Sequence, residues 1–84
     1  MTAASEWALA VPIDLKGGGG FSVIRTTFEA ALVLTNCWPV SKGPAFAQAL
    51  TLVPFAFRGE IGDEAMRVAF TAAAKEAEVL VQLH

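Results

Sequence analysis

The chain has 84 residues, 55% of them hydrophobic and 17% charged, with a formal net charge of −2, one cysteine and one histidine. That length allows one small domain, and a single cysteine excludes an intrachain disulfide framework or a cysteine-rich zinc site. The charge balance excludes the strongly basic footprint of a nucleic-acid binder, and an apolar content above the usual level of about 45–50% excludes a disordered tail.

Residues 1–6 read as a loose tail ahead of a single domain over 7–84. The opening Met1-Thr2-Ala3-Ala4-Ser5-Glu6 lacks the basic start of a secretory signal. From Leu9 the pattern alternates: Leu9, Val11, Ile13 and Leu15 point one way, and Ala10, Pro12, Asp14 and Lys16 the other, which predicts a half-buried strand. Pro12 cannot donate a ladder hydrogen bond, so its nitrogen must face an edge. Gly17-Gly18-Gly19-Gly20 then leads into Phe21-Ser22-Val23-Ile24-Arg25-Thr26, a β-hairpin signal. A three-residue loop with a glycine bulge sets Leu15 opposite Phe21 and Ile13 opposite Val23; the competing parity sets Leu15 opposite Ser22 and Ile13 opposite Ile24. The first gathers more apolar side chains on one face and is the register expected, although it leaves Ile24 on the far face.

Thr26-x-x-Glu29 has the form of a capping box and opens helix one, expected over Thr27 to about Trp38 and stopped by Pro39. Phe28, Ala31, Leu32 and Thr35 form its expected inward face, extended by Leu34 and Trp38, while Glu29, Val33 and Asn36 fall on the other side. Ser41-Lys42-Gly43-Pro44 opens helix two, with proline at the first helical position, where its missing N–H is harmless. The helix is expected from Pro44 to about Arg58, ended by Gly59, with Phe46, Ala49, Leu50 and Val53 as its stripe. Pro54 removes the bond to the Leu50 carbonyl at about 3 kcal/mol in a regular helix, so a kink or an early end near Val53 is expected.

Gly62-Asp63-Glu64 opens helix three with acids at the positive end of its dipole. Met66, Ala69, Phe70, Ala73 and Ala77 form the apolar stripe, opposite Glu64, Arg67, Thr71, Lys75 and Glu78. The short β-branched end Val79-Leu80-Val81-Gln82-Leu83 reads as a third strand beside the hairpin. The longest nearly apolar run, Ala45 to Phe57, falls short of the about 20 residues that span a bilayer. The expected fold is α+β: a β-hairpin, three helices on one face of the small sheet, and a short C-terminal strand.

The second half carries an ordered series of motifs: Trp38-Pro39, Lys42-Gly43-Pro44-Ala45, Ala49-Leu50, Arg58-Gly59-Glu60-Ile61, then Glu64-Ala65-x-Arg67-x-Ala69-Phe70-x-x-Ala73-Ala74-x-Glu76-Ala77. With a glycine-rich turn between two strands and an alanine-rich helix ending in Trp-Pro, this series resembles the small bacterial proteins of domain of unknown function 982, over roughly residues 10–82. The resemblance implies a single α+β domain and no assigned activity. The chain departs from that pattern in carrying less charge on helices one and two. It also has Pro54 where a helix former is usual and Glu78 where glycine is usual, so a glycine-capped end of helix three is not implied.

Candidate chemistry is sparse. The four glycines lack the following helix and the Lys-Ser/Thr pair of a phosphate loop, and read as a turn. Cys37 has no histidine near it in sequence and reads as structural. Glu60, Asp63 and Glu64 lack the spacing of a metal-binding loop and suit a helix start. Trp38 reads as a core anchor. No cofactor, metal site or catalytic constellation is expected. Lys42, at the start of helix two, is a candidate anion contact.

The stronger signal is distributional: between Ala30 and Phe57 the only charged residue is Lys42. A domain this small cannot bury so much apolar surface. The expected function is a non-enzymatic interaction module, a homo-oligomer or the partner of another protein, touching through Val33, Leu52, Phe55 and Phe57. The alternative is a small hydrophobic ligand held between the hairpin and helices one and two. Neither nucleic acid nor a membrane span is expected, and an unpaired cysteine suits the cytoplasm.

Overall fold

The computed structural model of the chain describes residues 6–15, 20–39 and 42–81. Two strands, β1 (Val11–Leu15) and β2 (Gly20–Ile24), precede three helices, α1 (Thr27–Asn36), α2 (Pro44–Phe57) and α3 (Asp63–Glu76). This is the α+β order expected. Residues 1–5 of the expected tail and the turn glycines Gly17, Gly18 and Gly19 lie outside the described residues.

The strands pair antiparallel with Val11 opposite Ile24, Ile13 opposite Ser22 and Leu15 opposite Gly20. The expected register is thereby overturned, and so is its competitor. Parity rules out the expected register, while the competitor has the observed parity and differs from it by a slide of two residues along β2. Val11, Ile13, Leu15 and Ile24 are all buried, and only an odd-to-even pairing brings Ile24 to the side of β1's apolar row. Phe21 is left on the outer face, opposite Asp14 and 61% exposed. Leu9, expected in the inner row, is exposed as well. The anchor ahead of β1 is Trp7, which is buried; its backbone N–H donates to the Arg25 carbonyl at 2.6 Å and its indole Nε1–H to Thr27 Oγ1 at 3.2 Å.

On the other side of β1, Leu80 forms an isolated antiparallel bridge with Ile13. The Asp14 N–H donates to the Val79 carbonyl at 2.8 Å, and the Val81 N–H to the Pro12 carbonyl at 3.0 Å. The expected C-terminal strand shrinks to this single bridge among the described residues; Gln82 and Leu83 lie outside them. The bridge also fixes which way each backbone group points. Pro12 and Asp14 face residues 79–81, so Val11, Ile13 and Leu15 face β2, and Gly20, Ser22 and Ile24 face back. Pro12 therefore turns its nitrogen away from β2 and breaks no rung of the hairpin. Phe21 and Val23 turn their N–H and C=O groups to the open edge.

Helix α1 starts at the expected cap: Thr26 Oγ1 accepts from the Glu29 N–H at 3.0 Å. The Glu29 carboxylate reaches one residue further back than a standard box, accepting from the Arg25 N–H at 2.7 Å. The helix ends at Asn36, where the Cys37 N–H donates to the Val33 carbonyl. Its buried face is Thr27, Ala30, Ala31 and Leu34, whereas Phe28, Leu32 and Thr35 are exposed. The expected inward face is thus turned by about one residue. Both stripes keep helical spacing, and the small Ala30 and Ala31 let α1 approach its neighbours more closely than Phe28 and Leu32 would.

Helix α2 passes Pro54 and continues to Phe57, so the proline does not end it. Pro54 is exposed, on the side where water can satisfy the carbonyl it orphans. The end is a Schellman closure: Gly59, at φ +75°, donates to the Ala56 carbonyl, and the Glu60 N–H to that of Phe55. Helix α3 ends in the same closure without a glycine. The Glu78 N–H donates to the Lys75 carbonyl and the Val79 N–H to that of Ala74, with Glu78 held at φ +60°.

A left-handed residue with a side chain carries about 1–2 kcal/mol of strain, while glycine restores about 0.4–1 kcal/mol of entropy to the unfolded chain. Glu78→Gly is therefore expected to stabilise the domain by about 0.5–1 kcal/mol, raising Tm by roughly 2–8 °C in thermal unfolding. A lower Tm would show that the Glu78 side chain makes a contact worth more than the strain.

Ile13, Met66 and Phe70 are fully enclosed. Phe70 lies between two indoles, with centroid distances of 5.8 Å to Trp7 and 5.5 Å to Trp38. Trp38 also stacks on Phe46 at 6.3 Å, which joins the end of α1 to α2 and α3. The inner face of the hairpin closes this cluster from the other side.

Candidate functional site

Two phenylalanines from different helices meet on the surface. Phe28, in the first turn of α1, and Phe57, the last residue of α2, have ring centroids 6.5 Å apart and are 56% and 55% exposed. Leu32, one helical turn after Phe28, is exposed beside it. The continuation of α2 past Pro54 is what carries Phe57 back to α1. The result is an exposed apolar face of two aromatic rings and a leucine on the outer side of the helix pair.

Of the residues expected at a contact, Phe57 belongs to this face. Phe55 is 37% exposed but lies two residues earlier, on another side of α2, where the Arg58 guanidinium sits 4.9 Å above its ring. Val33 and Leu52 are half-buried and pack against the core. Phe28 and Leu32, expected inside, are the residues sequence reasoning missed. No signal in the sequence separates the two possible stripes of α1.

Lys42 is exposed ahead of α2. The anion at that helix start is the protein's own: Glu76, from the last turn of α3, accepts from the Ala45 N–H at 3.1 Å and the Phe46 N–H at 3.0 Å. A carboxylate there complements the α2 dipole, and Gly43, the N-cap, supplies no side chain of its own. An external anion would have to displace Glu76. The three acids around the start of α3 are likewise engaged one by one. Glu60 pairs with Arg58 at 2.8 Å, and Asp63 accepts from the Thr27 hydroxyl at 3.3 Å. Glu64 receives two hydrogen bonds from Arg67. Those bonds hold the Glu64 carboxyl below its usual range and push Arg67 up. Among the described residues no three His, Cys, Asp or Glu side chains converge as metal ligands. No helix of the described residues is long and apolar enough to cross a membrane.

An open groove of about 490 Å³ runs between α3 and the residues flanking β1, lined by Leu9, Pro12, Leu80, Val81, Arg67 and Thr71. It lies along the outer side of α3, not between the hairpin and helices α1 and α2. The motifs behind the family resemblance occupy junctions of the fold. Gly43 and Glu76 meet at the start of α2, Arg58-Gly59-Glu60 closes its end, and Trp38 packs on Phe70. No curated protein and no solved structure gives a significant match to the chain. The family model described as Protein of unknown function (DUF982) matches residues 9–81. That match takes in both strands, all three helices and the closing bridge, and the chain belongs to the DUF982 family of proteins of unknown function.

Proposed function

We propose that this domain is a non-enzymatic interaction module that self-associates through the outer side of α1 and the end of α2. We place it in the cytoplasm, where an exposed, unpaired Cys37 stays a thiol. One observation carries the reading: the Phe28–Phe57 pair stands out of a domain whose residues 30–57 hold a single charge. Aromatic anchors surrounded by little charge are the composition of an interface core. A second copy suits this face because apolar rings can meet their own copies across a two-fold axis without like-charge repulsion between them.

The test is sedimentation of the double variant Phe28→Ser, Phe57→Ser against the parent chain. The parent is expected to associate at high micromolar concentration. The variant is expected to weaken association at least about tenfold, as loss of two aromatic anchors of about 1 kcal/mol or more each requires. Its helical circular dichroism should be unchanged, because both rings are largely in solvent. A parent chain that stays monomeric, or a variant that associates as well as the parent, overturns the reading.

A further inference from the structure

The open edge of β2 is a second surface, and its chemistry is that of the backbone. Phe21 and Val23 each point one N–H and one C=O away from β1, and no described residue pairs with them. No helix lies across the strand; its main neighbour is β1. Natural edges are blunted by lysine, proline, a bulge or an inward charge. Gly20-Phe21-Ser22-Val23-Ile24 has none of these.

We propose that β2 pairs edge to edge with the β2 of a second copy of this chain, antiparallel about a two-fold axis at Ser22. The choice of a second copy follows from self-complementarity. With the axis at Ser22, Phe21 of one chain falls opposite Val23 of the other, and the two exchange both hydrogen bonds as a narrow antiparallel pair. The same operation satisfies Val23 and Phe21 on the far side of the axis, so every outward group of both residues is used. The side chains agree with the backbone. Phe21, 61% exposed, comes to lie beside the Val23 of the other chain on the outer face, an aromatic and β-branched cross-strand pair of the favourable kind. The strand carries no charge, so two copies meet without repulsion. The two hairpins become one four-stranded sheet. This contact shares no residue with the aromatic face of α1 and α2.

The experiment uses the full chain in two variants. Val23→Pro removes the outward N–H but no rung to β1, and proline is tolerated on an edge. Phe21→Lys places a charge on the outer face, at a side chain the fold leaves in solvent. Each is expected to weaken edge pairing at least about tenfold in sedimentation, because the axis removes or disturbs the contact twice. Each should also halve the assembly in native mass spectrometry. Amide exchange gives the site directly. In concentrated parent chain the Phe21 and Val23 amides should slow, and they should speed up on dilution and in Phe21→Lys. Ser22, bonded inside the hairpin, serves as the unchanging control.

Edge pairing is overturned by a parent chain that is monomeric at high micromolar concentration. It is overturned equally by an assembly that both variants leave intact, by Phe21 and Val23 amides that exchange fast within the assembly, or by a different extended peptide found on β2 of a monomer. If Val23→Pro dissociates the assembly and Phe28→Ser, Phe57→Ser does not, edge pairing stands and the helix contact falls. The opposite pattern keeps the helix contact and removes edge pairing.

Discussion

Phe70→Ala is expected to lower stability by about 3–5 kcal/mol, the range for emptying a fully buried phenylalanine site. A domain of this length holds about 4–13 kcal/mol in all, so the variant should be marginal or unfolded at 37 °C. The size of the effect follows from position. Phe70 has no exposed surface and sits between Trp7, which arrives from ahead of β1, and Trp38, which follows α1. Three parts of the chain lose their shared contact at once, and two rigid indoles cannot collapse into the space as aliphatic chains do. Urea denaturation followed by tryptophan emission measures it, since both tryptophans of the chain border the site. A loss below about 2 kcal/mol would mean that the neighbours close the cavity and that Phe70 is not the centre of packing.

Gly43→Ala is expected to lose about 2–4 kcal/mol through two coupled effects. The residue sits at φ +125°, ψ 145°, a region that side chains rarely enter. A Cβ there would also lie 2.7 Å from Glu76 Cδ, driving the carboxylate off the Ala45 and Phe46 amides. Backbone strain accounts for about 1–3 kcal/mol and the lost cap for about 1 kcal/mol. Glu76→Ala alone should lose about 1 kcal/mol, because only the cap goes. The double variant should lose less than the sum, since the carboxylate that the new methyl group would displace is already gone. Strict additivity in thermal unfolding would show that Gly43 and Glu76 act separately.

Element order, helix starts and the α3 stripe are legible in the sequence because each rests on local chemistry. Thr26 and Glu29 cap what they precede, Pro44 opens a helix, and Met66, Phe70 and Ala73 repeat at helical spacing. Other features depend on neighbours far along the chain. The register turns on whether Ile24 or Phe21 faces the helices, and only the packed core decides that. The face of α1 is ambiguous because Phe28 and Leu32 are as apolar as Ala30 and Leu34; closeness of fit, not hydrophobicity, makes the choice. Pro54 reads as a stop because its penalty is a property of the helix interior, yet it falls on the wet side. Glu78 shows the converse: a closure normally marked by glycine forms without one, since residues 79–81 are held against β1. The candidate contact is legible only at Phe57. Its partner Phe28 depends on the undetermined face of α1, and the β2 edge depends on the register.

The bridge between Leu80 and Ile13 also sets an order of events during synthesis. Strand β1 leaves the ribosome with its Pro12 carbonyl and Asp14 amide still waiting for residues 79–81. Trp7 waits in the same way for Phe70. A nascent chain can complete the native pairing of β1 only after residues 79–81 have cleared the exit tunnel.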